Sequence, residues 1–417
     1  MRMLLLYRIL FMVALVLASP YLLIKAIFGK HGITERFGFI KNRDSSKRLV
    51  WFHAASVGEL KVISSIIPEI TKIDGDMEFA VSTTTATGRR RALELFGEKA
   101  VVFLQPLELV HAVRRVIRRL RPEKLLVVET EIWPLMVTVA ADSGIDVNLV
   151  NGRMSKSSYK LYGAVKPLTS RALKAFGRIL VRSEADADKF TSLGAERCDV
   201  AGNLKYDQAL DSGGKGESLS NIKKGGKLLF VAGSIRKGEY EIFAELITRS
   251  RKKNLDVAFV LVPRHMKEIE YVRQLLSNGG MSYRLWSETP CKGVDLESVL
   301  VVDAMGLLRD FYCLADLAFV GGSLVPIGGH DPLEPAALGK PVIFGPHMEN
   351  AREAADLLLN SGGAVEISST DQLFETLERS IRDRQGLREK GELCRKAVLS
   401  KSGASRKTAQ IILGDIE

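Results

Sequence analysis

Beyond residue 45 the chain alternates short apolar runs with longer amphipathic ones. The runs RLVWFHA, EFAVSTT, AVVFL, KLLVVET, DVNLVN and RILVRS are apolar almost throughout, as strands buried on both faces of a parallel sheet are. Each is followed by a helix-like segment or a loop leading into one, which predicts a βαβα order. The polar stretch DSGGKGESLSNIKKGGK, residues 211–227, interrupts this and reads as a linker. A second series follows: LLFVAGS, DVAFVLVP, SVLVVD, LAFVGGS, PVIFGP and GAVEI. The expectation is an α/β protein with two doubly wound halves, residues 29–210 and 228–417. Such sheets bind ligands beyond the carboxyl ends of their strands, and a cleft between two of them is the expected site.

Residues 1–28 depart from this pattern. The stretch from Ile9 to Ile24 carries no charge, is slightly short of the roughly 20 residues that span a bilayer, and contains Pro20. It reads as an anchor that dips into or barely crosses a membrane. A secretory signal is the competing reading, but no clean small-residue cleavage site follows. Four scattered cysteines with no CxxC pair point to a reducing compartment, and the apolar neighbours of Cys313 to a buried thiol. The globular part is therefore expected on the cytoplasmic side. Lys and Arg outnumber Asp and Glu by 60 to 49, a net charge of +11. That balance suits anionic substrates or an anionic membrane surface. Without zinc-finger spacing or a basic region followed by heptads, nucleic acid is the weakest of the three readings, and no nucleic-acid partner is expected.

Candidate chemistry lies at the strand ends. In WFHAASVGEL, Ser56 and Gly58 leave room for another molecule, and Glu59 is either a carboxylate at a helix N-terminus or a general base. VVETEIWPLM sets Glu129 and Glu131 at the end of a very apolar strand, an unusual pair for a purely structural purpose. Arg153 in NGRMSKSSY suits an anion. STTTATGRRR is either an anion-binding turn or a helix capped by Thr85 or Thr87, and the arginines from 114 to 121 read as a solvated face. Asp186 and Asp188 form a DxD, but Ser183 with Asp186 reads as a capping box. No metal ligand set and no cofactor motif is found.

The second half offers Ser234 and Arg236 in AGSIRKGE, and Arg264 with His265 in VPRH, residue types that meet phosphate or carboxylate. In GGSLVPIGGHDPLEP, residues 321–335, Gly322 and Ser323 are expected to turn backbone N–H groups toward a phosphate. Gly329 precedes a helix with Asp331 as N-cap, Glu334 at N3 and Gly339 as its stop, and Glu334 is placed to hold a ribose. FGPHMEN adds Asn350.

Taken in order, ERFGF, HAASVGE, VSTTTATG, VVETEIWP, NGRMS, GNLKYD, AGSIRKGE, VPRH and the long segment from GGSLVPIGGHDPLEP to FGPHMEN resemble the transferases of 3-deoxy-D-manno-octulosonic acid (Kdo). The resemblance implies a GT-B glycosyltransferase fold of two Rossmann-like domains, acceptor-binding first and donor-binding second. It implies inverting, metal-independent transfer of Kdo from CMP-Kdo to a lipid A precursor in lipopolysaccharide synthesis, at the inner membrane. It gives Glu59 the part of catalytic base. It sets Ser56, Gly58, Glu129, Glu131 and Arg153 on the acceptor side. Ser234, Arg236, Arg264, His265, Gly322, Ser323, Gly329, Asp331, Glu334 and Asn350 fall on the donor side. Two departures stand out: Asp331 and Leu135 occupy positions where the family commonly has Asn. Other GT-B proteins that use UDP-sugars share the glycine loop, while HAASVGE and VVETEIWP favour the Kdo reading.

Overall fold

The computed structural model describes residues 7, 9, 32–211, 225–288 and 299–414. Nearly all of the expected anchor and most of the expected linker lie outside the described residues. The chain divides into two compact units, Met1–Gln208 with Ser402–Glu417, and Ala209–Lys401.

Among its described residues the first unit holds seven parallel strands: β1 Leu49–Ala54, β2 Glu78–Thr83, β3 Ala100–Leu104, β4 Lys124–Val128, β5 Asp146–Gly152, β6 Arg178–Val181 and β7 Cys198–Val200. Their order in the sheet is β3-β2-β1-β4-β5-β6-β7. Alternate side chains of one strand feed the two faces. Leu49 and Trp51 of β1 pack with Phe103, Leu125 and Val127 on one side. Val50, Phe52 and Ala54 pack with Ile63 and Ile66 on the other. Each such fully buried apolar side chain contributes roughly 1.5–3 kcal/mol.

The second unit repeats the plan with β8 Leu228–Ile235, β9 Val257–Pro263, β10 Tyr283–Leu285, β11 Val299–Val301, β12 Leu317–Val320, β13 Val342–Phe344 and β14 Ala364–Glu366. The order is β10-β11-β9-β8-β12-β13-β14, again parallel. All twelve expected strands are present. The two that were not expected, β7 and β10, are three-residue edge strands.

Two expectations need correction. The second unit does not run to the C-terminus: the helix Ala404–Leu413 packs in the first unit, where Ala409, Ile411 and Ile412 join the core with Ile63 and Ile66. Asp207, itself buried, receives the backbone N–H groups of Gly403 and Ser405 and fixes the return. Cys313 is only half-buried, whereas Cys394 is buried.

Candidate functional site

In a doubly wound sheet the strand order reverses at one point, and the loops there splay apart to leave a crevice. The first unit reverses between β1 and β4, the second between β8 and β12. Glu59, Glu129 and Glu131 follow the first pair; Ser234, Arg236, Gly322 and Ser323 lie at the ends of the second.

After β1 the chain turns through Ser56, the N-cap of the helix Val57–Ile73. Its Oγ accepts the N–H of Glu59 at 3.2 Å and donates to Glu59 Oε1 at 2.7 Å, while the N–H of Ala55 donates to Oε2 at 2.7 Å. This capping box fixes the carboxylate in place. Glu59 is only 7% exposed, although Ser56, Val57 and Gly58 around it are exposed. Burial pushes its pKa up from 4.5 to about 7; the Ser56 and Ala55 hydrogen bonds oppose this, and the charges of Glu129 and Glu131 add to it. A carboxylate so placed is held in one orientation and exchanges its proton near neutral pH. A Cβ at Gly58 would touch only Ser56 Oγ, at 3.7 Å, so the protein's own packing does not demand glycine there.

Glu129, which follows β4, has a left-handed backbone with φ 61°, and so has Asn151 at the end of β5 with φ 56°. Non-glycine residues enter this region at a cost and tend to do so at functional sites. Glu129 pairs with Arg182, a buried guanidinium just beyond β6 whose Nε also donates to the carbonyl of Asn151 at 3.2 Å. The Asn151 Oδ1 accepts the N–H of Leu204 at 3.1 Å. Glu131 receives Trp133 Nε1 at 3.1 Å, and burial raises its pKa, with the Glu129 charge adding. The first unit thus brings Glu59, Glu129 and Glu131 within electrostatic reach of one another. Arg153 stands exposed nearby in sequence, its carbonyl accepting the Thr130 hydroxyl. Arg182 was missed from the sequence, although it occupies the same strand-end position that drew attention to the glutamates.

Other candidates prove structural. Thr85 caps its helix through the N–H of Gly88 at 3.0 Å, and Arg89 forms a two-pronged pair with Glu35. Arg115 and Arg119 donate to the carbonyls of Phe37 and Ile40, leaving Arg114 and Arg118 exposed. Ser183 and Asp186 form the expected capping box, and Asp186 also accepts the N–H of Met154 at 2.9 Å. Leu135 is buried, and Glu108 receives its N–H and that of Met136.

In the second unit Ser234 is buried with φ 55° at the end of β8, beside Gly321. A Cβ on Gly321 would lie 2.5 Å from the Ser234 carbonyl oxygen, which makes glycine obligatory where β8 and β12 meet. Arg236 Nη1 pairs with His265 Nε2. Arg264 is exposed, its own N–H donating to the carbonyl of Ile235 at 3.0 Å. His330 completes the group: burial lowers its pKa to about 4, with the charges of Arg264, Arg236 and His265 adding. Its buried Nε2 has no partner among the described residues. The His330 imidazole, Arg236, Arg264 and His265 are thus gathered at one strand-end crevice. His330 was not singled out from the sequence, where it lies between the glycines and Asp331.

The glycine loop differs from expectation. The N–H groups of Gly322, Ser323 and Leu324 all donate to the carboxylate of Glu239, at 2.8, 3.0 and 3.0 Å. They are therefore not turned toward a ligand. The Ser323 hydroxyl is also engaged, donating to the Val320 carbonyl and accepting the N–H of Gly345 just beyond β13 at 2.8 Å. Gly329 has φ 72°, and a Cβ there would collide with Met348 Sδ at 2.3 Å. Asn350 donates its amide to the Ile327 carbonyl at 3.1 Å and braces the loop. The helix begins later than expected, at Leu333, and is five residues long. Asp331 receives the Leu333 N–H at 3.0 Å in a local turn, with Pro332 in the N-cap position, so Glu334 does not sit at N3. Glu334 lies within electrostatic reach of Arg309. Gly339 ends the helix with φ 69° as expected.

Residues 31–208 match the family model described as 3-deoxy-D-manno-octulosonic-acid transferase (kdotransferase). The chain is 30% identical over 414 residues to the 3-deoxy-D-manno-octulosonic acid transferase of Chlamydia muridarum, covering 96% of this chain and 94% of that protein. It is 29% identical to the Haemophilus influenzae transferase of the same name, covering 91% and 90%. A bifunctional glycosyltransferase/methyltransferase of Fusobacterium nucleatum is 29% identical over 89% of this chain, which spans 58% of that longer protein. Among solved structures, a glycosyltransferase from Rickettsia africae superposes with a TM-score of 0.57 at 14% identity, covering 89% of this chain and all of that one. The UDP-GlcNAc 2-epimerase of Neisseria meningitidis gives 0.57 at 16% identity, covering 88% and 98%. At such low identity these two show the fold, that of GT-B glycosyltransferases.

Proposed function

This chain belongs to the family of 3-deoxy-D-manno-octulosonic-acid transferases, and we propose that it moves Kdo from CMP-Kdo to a lipid A precursor with inversion at the anomeric carbon. One observation carries the reading: Glu59, buried, oriented by Ser56 and Ala55, with a pKa near 7 and an exposed rim beside it. An acceptor hydroxyl gives its proton to the Glu59 carboxylate. Its oxygen bonds to the anomeric carbon of Kdo as the bond from that carbon to the phosphate oxygen breaks, and CMP leaves with the electron pair. Arg236, Arg264 and His265 meet the negative charge of the phosphate and of the Kdo carboxylate. Burial, with the charges of Glu129 and Glu131 adding, raises the base's pKa, so that it takes the acceptor's proton more strongly than an ordinary carboxylate at neutral pH. The net charge of +11 suits two anionic substrates, and Arg114 and Arg118 suit an anionic bilayer surface. With residues 1–28 as an anchor, this sets the enzyme on the cytoplasmic face of the inner membrane.

The test is mass spectrometry of a lipid A precursor incubated with purified protein and CMP-Kdo, beside Glu59→Gln. A product heavier by one or more Kdo units, absent with the variant, is expected. No shift with CMP-Kdo but turnover of a UDP-sugar would overturn the donor; transfer by the variant at the wild-type rate would overturn the base.

A further inference from the structure

The loop that follows β12 already holds an anion, and the protein supplies it. Glu239 is fully buried. Its Oε1 accepts the N–H groups of Ser323 and Leu324, and its Oε2 those of Gly322 and Arg236, all at 2.8–3.0 Å. Successive backbone N–H groups around one acceptor form the kind of nest that elsewhere receives a phosphate. Here the occupant comes from the turn after β8, which makes one carboxylate the clasp between the two strands at the crevice of this sheet.

What the clasp orders is the cationic group described above. Arg236 is tied by its own N–H to Glu239, and its side chain pairs with His265. Gly322 is tied likewise, and the His330 ring lies against it, 3.2 Å from where a Cβ would stand. His330 is further held by its N–H to the Gly321 carbonyl at 3.1 Å, and Gly329 by its N–H to the Gly322 carbonyl at 2.8 Å.

We propose that Glu239 is a positioning residue of the donor site: a resident carboxylate that fills the loop's nest, leaving the donor's anionic groups to the side chains of Arg236, Arg264 and His265. The inference rests on the reading of that cluster as the donor site. It has a chemical signature that ordinary packing lacks. Each oxygen accepts two N–H groups, so glutamine, nearly the same shape, turns an NH2 toward two donors in either orientation. Aspartate keeps two acceptor oxygens but is one methylene short.

The experiment uses the full chain and three variants: E239Q, E239D and Y240F. Tyr240 is the next residue, equally buried, with its hydroxyl bonded to Ile235 and Glu268, and serves as the comparison for simple destabilisation. E239Q should raise the KM for CMP-Kdo about tenfold or more, with kcat and the acceptor KM within about threefold of wild type. E239D should lie between, and Y240F should lower the melting temperature without moving the donor KM. An unchanged donor KM in folded E239Q would overturn the proposal. So would an equal rise in Y240F at equal loss of melting temperature. Where E239Q does not fold, E239D decides by the same criterion. Calorimetric titration with CMP alone separates this from the reading beneath it. Weaker CMP binding in E239Q, from a wild type that transfers no Kdo, would sink the reaction but keep the clasp; a wild type that binds no CMP would sink both.

Discussion

Replacing Glu59 by Gln should make the protein more stable and inactive, by an amount that depends on pH. Burial raises the Glu59 pKa from 4.5 to about 7 in the folded state. A raised carboxylate pKa means that the folded state binds the proton more tightly than the unfolded one. The contribution to stability is then full below pH 4.5 and is lost as pH rises through 7. Taking 1.36 kcal/mol per pKa unit, the raised pKa costs about 3 kcal/mol at pH 8 and about 1 kcal/mol at pH 5. Glutamine carries no charge and fits the same partners: its Oε1 can accept the N–H of Ala55, and its Nε2 can donate to Ser56 Oγ. The first unit of the variant should therefore melt above wild type by about 6–12 °C at pH 8 and by about a third of that at pH 5. The assay is thermal unfolding of both proteins at the two pH values, beside the transfer rate. A gap that does not change with pH, or a variant less stable than wild type at pH 8, would refute the claim that burial holds this carboxylate at neutral pH.

Other outcomes follow from the same geometry. The pH profile of kcat/KM should fall on the acid side with a midpoint near 7, because Glu59 acts ionised; Glu129→Gln, which removes a neighbouring negative charge, should move that limb to lower pH. Arg264→Ala, at an exposed position, should raise the donor KM while leaving the melting temperature within a degree or so of wild type. Removing residues 402–417 strips Ile411 and Ile412 from the core of the first unit, at roughly 1.5–3 kcal/mol each, and should destabilise that unit while the second melts as before; two-transition calorimetry reads this. Arg182→Met leaves the partly exposed Glu129 without its partner and the Asn151 carbonyl without a donor, and should cost about 1–3 kcal/mol in the first unit, measured by denaturant unfolding.

The strands were legible because parallel strands buried on both faces are unbroken apolar words, and β1 and β8 are buried at every residue. β7 and β10 escaped notice since CDV and YRL are too short, and too exposed at a sheet edge, to leave such a word. Glu59 presented two meanings in the sequence, a helix cap and a base; the geometry unites them, as the capping bonds hold the carboxylate that burial tunes. The glycine loop was read as open because sequence shows which N–H groups a turn could free, not which distant acceptor takes them. Glu239 stands more than 80 residues before the loop N–H groups it binds. The same blindness to long range hid the return of the last helix, whose amphipathic pattern is alike whichever unit it joins.

That return has a consequence for how the protein is made. The first unit is discontinuous: nearly all of it leaves the ribosome before residue 209, yet Asp207 and the core around Ile63 wait for residues 403–412. The second unit, Ala209–Lys401, is continuous and can close as soon as it emerges. Synthesis therefore leaves the first unit short of its last helix until the second unit has been made. At about 5–20 residues per second, the apolar face of the helix Val57–Ile73 stays incompletely covered for roughly 10–40 seconds while the second unit is translated. During that interval the nascent first unit is the aggregation-prone part of the chain.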